Sequence, residues 1–395
     1  MPEKNCKNQQ QVNIDYFSSS MSHKERTNFS LAESSQIKNG NQGISNYLNS
    51  LLQEAIETRT SDIHLETGLE VGRIRFRIDG VMKIKYSYPI NMIKSLISRI
   101  KILSDLDITI TNKLQEGAIL ASQFDQDIRV SIIPTIHGEN AVLRILSGKN
   151  KFVKFENLGF SEINYKLANR LFSVNQGLIL LCGPTGSGKT TTLFAALDNL
   201  NSNSVNIITL EDPVELRIPG INQIQVNTAA GEKFTPYLRA ILRHDPDIIM
   251  VGELRDEETA SMAVRAAMTG HLVLSTLHTT SAVGAVIRLL EMGLPAFLIA
   301  DTVRGVIAQR LVRCLCQLCK GKGCDSCNET GFFKRTALQE VLLLDTEIAK
   351  MIQRKESKEC LEKKALERGM ISLLRDGEIK VAKGLTTPAE IRRVI

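Results

Sequence analysis

The sequence predicts an α/β fold: a P-loop core on a parallel sheet, behind a smaller α+β unit and ahead of a small metal module and terminal helices. Three observations predict it. Short apolar runs at Gly177–Leu181, Asn206–Leu210, Ile248–Val251 and Leu272–Ser275 are each followed by polar or glycine residues, with helical stretches between them. That alternation belongs to parallel strands joined by crossover helices. Upstream, Arg73, Arg75 and Arg77 alternate with Ile74, Phe76 and Ile78, the period of a strand with one apolar face. Downstream, two Cys-x-x-Cys pairs stand four residues apart.

Composition bounds the reading. The 395 residues are 43% hydrophobic and 23% charged, with a formal net charge of +6. These values fit a soluble globular chain and exclude a mostly disordered protein, a collagen or a coiled-coil rod. Apolar runs fall short of the ~18–20 residues that span a bilayer. The polar start, MPEKNCKNQQ, lacks the apolar region of a secretory signal, so a cytosolic chain is expected. From Val312 to Ile395 there are 17 Lys/Arg against 12 Asp/Glu. That mild excess reads as a solvated helical surface, and direct nucleic-acid binding is not expected.

Taken in order, residues 1–43 are rich in Asn, Gln, Ser and Lys and read as a disordered tail. Ile44, Leu48, Leu51, Leu52, Ala55 and Ile56 share one helical face. After the arginine strand, Asp79-Gly80 supplies a turn. Ile93, Leu96, Ile97, Ile100 and Leu103 make a second helix, and Ile128–Ile133 and Ala141–Leu146 two more strands. The first unit is placed at 44–147 and a linker at 148–157. The core is placed at 158–311, the cysteine module at 312–335 and a helical region at 336–395.

The sharpest motif is Gly183–Thr190, GPTGSGKT, which fits G-x-x-x-x-G-K-[ST] between an apolar strand and a helical stretch. Its glycines let backbone N–H groups turn toward phosphate oxygens, and the helix that follows presents its positive end to the same anion. The candidate nucleotide-binding residues are Gly183, Pro184, Thr185, Gly186, Ser187, Gly188, Lys189, Thr190 and Thr191. Lys189 is placed on the β- and γ-phosphates of ATP and the Thr190 hydroxyl on Mg²⁺. Glu211, Asp212 and Glu215 follow one strand and Glu253 another, where carboxylates can act on magnesium-bound water or on the attacking water. His271 and His278 bracket a strand in the same domain, which suggests nucleotide sensing or a subunit contact.

Eight cysteines are present, five of them within residues 314–327. A cytosolic protein seldom keeps structural disulfides, so the cluster reads as a metal site. Cys316, Cys319, Cys324 and Cys327 would close a tetrahedral structural Zn²⁺ site, with Cys314 a bystander.

These segments resemble the secretion ATPases of the type II secretion, type IV pilus assembly and competence systems. The resemblance rests on GPTGSGKTTTL, TLEDPVE, LRHDPDIIMVGELRD and TGHLVLSTLHT in that order, and on the stretch Gly284–Cys316. Upstream, SDIHLE, RIRFRIDG and RVSIIPTIHGENAVLRIL resemble the family's PAS-like N-terminal domain, and Met370–Val394 is similar too. It covers roughly residues 44–395. Three departures stand out: about 43 polar residues stand where many type II secretion members are expected to have a further folded N-terminal domain, Gln115-Glu116-Gly117-Ala118 replaces a run ending in arginine, and the spacer between the cysteine pairs is short.

The resemblance implies a RecA-like core and a hexameric ATPase that drives assembly of a pilus-like or pseudopilus fibre. Glu215 is implied as general base, Glu253 as the carboxylate acting through magnesium-bound water, and His271 and His278 as a pair near the nucleotide. Arg75 and Arg77 are implied to reach a γ-phosphate between domains or subunits. The implied partners are further copies of the chain and a polytopic inner-membrane protein, which would hold the ATPase peripherally at that membrane. The tetracysteine module selects the assembly branch over retraction motors. The alternatives are a retraction or DNA-translocating motor of related fold, and a nucleotide-gated scaffold without turnover.

Overall fold

The computed structural model describes residues 40–120, 126–146 and 153–395. The chain divides into two compact units between residues 149 and 150. Most of the expected tail, and the expected linker up to residue 152, lie outside the described residues. Helix α1 (Gly40–Glu57) opens at Gly40 rather than at Ile44.

The first unit continues with β1 (Thr60–Glu66), β2 (Val71–Ile78), β3 (Val81–Pro89), α2 (Ile90–Leu103), β4 (Gln115–Ile119), β5 (Ile128–Thr135) and β6 (Gly138–Ile145). The strands form one antiparallel sheet in the order β3-β2-β1-β6-β5-β4. Leu48, Leu51 and Leu52 of α1 and Ile93, Leu96 and Ile100 of α2 are buried against Ile63, Leu65, Ile74 and Phe76. The period-two pattern of β2 is therefore realised, with its isoleucines and Phe76 inward and its arginines on the other face. Strands β1, β3 and β4 were not anticipated. Strand β3 is an edge strand whose residues are almost all half-buried, so it carries no alternation to read.

The second unit begins with a single helical turn at Phe155–Asn157. Phe155, assigned to the linker, is instead 3% exposed and packs against Phe160 and Phe172. There follow α3 (Glu162–Phe172), β7 (Gly177–Cys182), α4 (Lys189–Leu200), β8 (Ile207–Glu211), β9 (Asn222–Gln225), α5 (Phe234–Ile241), β10 (Ile248–Val251), α6 (Glu257–Met268) and β11 (Leu272–Leu277). Then come α7 (Ala282–Glu291), α8 (Ala296–Thr302), β12 (Val303–Leu315) and β13 (Phe332–Leu343). The sheet order is β13-β12-β7-β11-β10-β8-β9, parallel except for β13. Every residue of β7, β8, β10 and β11 is buried. One core lies under α5–α8 and another under α3 and α4. This is a P-loop α/β core of the expected class.

The helical end starts later than expected. Residues 336–343 belong to β13, because Ala337–Leu342 are buried and hydrogen-bonded against β12, extending the core sheet beyond the cysteines. Helices α9 (Thr346–Gln353), α10 (Lys358–Glu367), α11 (Leu373–Ala382) and α12 (Pro388–Val394) complete the chain. Among the described residues no helix is long and apolar enough to cross a membrane.

Candidate nucleotide site and cysteine cluster

Strand β7 ends at Cys182 in the middle of the parallel sheet, and the chain turns through Gly183–Gly188 into α4. Gly188 has φ +87 and lies so close to β12 that a Cβ would stand 2.7 Å from the Gln309 side-chain nitrogen. Lys189 folds back over the loop, its Nζ donating to the carbonyls of Gly183 at 2.8 Å and Pro184 at 3.1 Å. Burial pulls its ammonium below the ordinary lysine value, while nearby Cys182 and Glu253 act the other way. Pro184, Thr185, Gly186 and Thr191 are exposed, Thr190 is half-buried and Ser187 is buried. The loop thus offers an open rim over a fixed floor.

Strands β8 and β10 run in register beside one another, so their following carboxylates emerge at the same sheet edge as the loop. Glu211 closes β8 and is 4% exposed; it accepts hydrogen bonds from Thr209 at 2.7 Å and Gln223 at 2.9 Å, and burial raises its pKa. Those bonds make it a buried brace of the loop after β8. Glu215, further along that loop, is exposed. Glu253, just past β10, is ion-paired to Arg255, and His278 Nε2 stands 3.5 Å from its other oxygen. Lys189, Glu253 and His278 therefore gather at one edge. Arg255 was missed, although its place two residues beyond Glu253 in the same acidic segment is a readable signal. A cavity of about 800 Å³ opens beside Glu253 and Arg255 between α5 and α6, and among the described residues its lining includes none from Gly183–Thr191.

His271 is a correction. It precedes β11 and His278 follows it, so roughly 20 Å of extended strand separates them. His271 Nδ1 lies 2.9 Å from the Ala266 carbonyl, and its own carbonyl accepts from the Gly177 N–H at the start of β7. It ties the end of α6 to the edge of the sheet opposite the phosphate loop. Within one chain the two histidines therefore do not sit side by side.

Arg75 and Arg77 lie in the first unit on the sheet face away from its core. Arg75 Nε donates to Glu66 at 3.1 Å, while Arg77 Nε is 3.7 Å from Asp62 and its Nη1 donates to the Gly80 carbonyl at 3.3 Å. They share a face, and each is tied to a different acid of β1.

The cysteine module is the excursion between β12 and β13. Cys316, Cys319, Cys324 and Cys327 bring their sulfurs within 4.8 Å of one another. Sulfur separations are 3.9 Å for Cys316–Cys324, 3.8 Å for Cys319–Cys327 and 3.7 Å for Cys324–Cys327. A tetrahedral ion about 2.3 Å from each sulfur needs sulfurs about 3.8 Å apart, so the donor set fits Zn²⁺. Backbone N–H groups of Gly323, Cys324 and Gly331 point at the sulfurs at 3.3 Å, which favours thiolates.

Comparison with known proteins agrees with the architecture. The family model described as type II/IV secretion system protein matches residues 38–393. The type II secretion system protein HxcR of Pseudomonas aeruginosa is 44% identical over 357 residues, covering 88% of this chain and 76% of that protein. The type IV pilus assembly ATPase TfpB of Acinetobacter baylyi is 40% identical over 375 residues, covering 87% of this chain and 64% of that protein. Among solved structures, the ATPase DotB of Legionella pneumophila has the same fold, with a TM-score of 0.70 at 21% identity over 88% of this chain and 95% of that one. The chain belongs to the type II/IV secretion system protein family.

Proposed function

We propose that this family member is an ATP-hydrolysing motor that works as a hexamer and drives assembly of a pilus-like or pseudopilus fibre. One observation carries the chemistry: Lys189, Glu253 and His278 converge at the carboxyl edge of a parallel sheet, beside a glycine loop backed by a helix N-terminus. In this reading Gly183–Thr191 binds the ATP phosphates, and Lys189 leaves its loop carbonyls to neutralise the β- and γ-oxygens. Magnesium, when bound, supplies charge neutralisation of the phosphates, with Thr190 its hydroxyl ligand. Glu253 would help hold the magnesium ion, and Glu215 takes the proton of the attacking water. Arg75 and Arg77 stabilise transition-state charge, and the four cysteines hold a structural Zn²⁺.

The fibre-assembly reading, the membrane partner and a position against the cytoplasmic face rest on family membership and on the tetracysteine cluster. A phosphate-release assay tests the chemistry. Lys189→Ala should abolish release, and Glu215→Gln should bind ATP without turning it over. Normal turnover by Glu215→Gln would remove Glu215 as base. Absent release by the wild-type ring would favour a nucleotide-gated scaffold. Salt-sensitive binding of DNA to a filter would favour a translocase.

A further inference from the structure

Gln309 sits in the middle of β12 at 2% exposure, between the buried apolar residues Val306–Ala308 and the buried Arg310. A primary amide costs free energy in such a place unless both its ends are satisfied. Both ends are satisfied by the phosphate loop and the helix it opens. Gln309 Nε2 donates to the Ser187 carbonyl at 2.8 Å, and its Oε1 accepts from the Thr192 hydroxyl at 2.8 Å. The backbone of the same residue sets the approach of the loop: a Cβ on Gly183 would stand 2.5 Å from the Gln309 carbonyl oxygen.

The Ser187 bond has a geometric consequence. A trans peptide is planar, so the Ser187 C=O and the Gly188 N–H point in opposite directions. Pinning that oxygen against β12 turns the Gly188 N–H away from the strand, toward the side where a phosphate would lie. From this we propose that Gln309 is a positioning residue of the phosphate loop, aiming a backbone donor at the nucleotide without touching it. The proposal rests on the ATPase reading above. A glutamate could not donate to Ser187, and a methionine of similar length could hold neither bond.

The test uses the full chain and mant-ADP with magnesium, read by fluorescence anisotropy, together with ATP turnover. Gln309→Met should bind mant-ADP about tenfold more weakly and raise KM for ATP more than it lowers kcat. Asn164→Ala serves as the structural control. Its amide reaches Gln339 and Asp376 in the same polar network but not the loop, so it should lower the melting temperature and leave mant-ADP affinity unchanged. Wild-type affinity in Gln309→Met, or an equal loss in Asn164→Ala, overturns the proposal. Should Gln309→Met fail to fold, Thr192→Val decides. It frees the amide from one side and should weaken mant-ADP binding several-fold; unchanged binding overturns the proposal. A wild-type chain that ignores mant-ADP defeats the ATPase reading itself, whereas a wild type that binds and a methionine variant that matches it defeat only the role of Gln309.

Discussion

The outer face of β1–β2 and the β12–β13 edge treat their charges differently. On the outer face of β1–β2 in the first unit, arginines stand mid-strand and pair across to acids of β1, as half-exposed Arg75 does with Glu66; the same unit also buries one helix-to-strand pair, Lys101 of α2 with Glu139 of β6 at 2.7 Å. On the β12–β13 edge of the second sheet, acids of the terminal helices are buried against the strands. Asp376 of α11 accepts from the Gln339 N–H at 3.0 Å and pairs with Lys380 at 2.5 Å, both almost fully buried. Glu390 of α12 accepts from the Arg313 N–H and guanidinium and from Arg393. The first arrangement leaves charge available to something outside; the second uses charge to fasten helices to strands. The difference teaches that a charged residue's role follows from the face it occupies more than from its type.

The sharpest way to break this comparison is Lys380→Met. It leaves Asp376 buried without its cation, so unfolding free energy should fall by about 3–5 kcal/mol, read from the urea midpoint at unchanged slope. A loss below 1 kcal/mol would mean that the pair does not fasten α11.

Next in size is the acid response of Glu390. Burial alone would raise its pKa, but hydrogen bonds from Arg313 and Arg393 outweigh it and hold the carboxyl down to about 2, against an ordinary 4.5. A depressed folded value stabilises above the unfolded one and is lost as pH falls through the folded one. The stability gap between wild type and Glu390→Gln should therefore be full above about pH 5 and close toward pH 2. A gap independent of pH would show that the carboxylate's charge is not what anchors α12.

Smaller still is Arg75→Ala. Its pair with Glu66 is about one-third exposed, and such pairs contribute roughly 0–1 kcal/mol. Stability should barely move in urea melts. If turnover falls at the same time, the open face is a working face; if stability falls as far as in Lys380→Met, the contrast between the two regions is wrong.

The same distinction explains what could be read from the sequence. Strand β2 was legible because one face is apolar and the other arginine, and the phosphate loop and cysteine pairs because their chemistry demands fixed spacing. Strand β12 was not, because Gly305–Ala308 is buried on both faces and a continuous apolar run has no period to separate strand from helix. The signals there were polar: Gln309 and Arg310 interrupt the apolar residues, and the glutamine bonds the phosphate loop. The edge strand β13 was hidden behind the cysteine excursion and read as helix. The site at the sheet edge could be assembled from motifs only as a set of residues, since which end of a strand each occupies is a property of the fold.

His271 and His278 carry that last point to an experiment. They flank one strand, so motif reading pairs them, yet parallel geometry sends only His278 to the edge that holds Glu253 and Lys189. His271 instead bonds the Ala266 carbonyl at the end of α6. His271→Ala should cost about 1 kcal/mol with little change in turnover at temperatures where the variant is folded. His278→Ala, exposed and weakly held, should change stability by no more than about 0.5 kcal/mol while lowering turnover. Thermal melts and phosphate release on the two variants separate these outcomes. If both lose turnover equally with no loss of stability, the two ends of the sheet are coupled in the working assembly, and a histidine far from the phosphate loop within one chain must act through another copy.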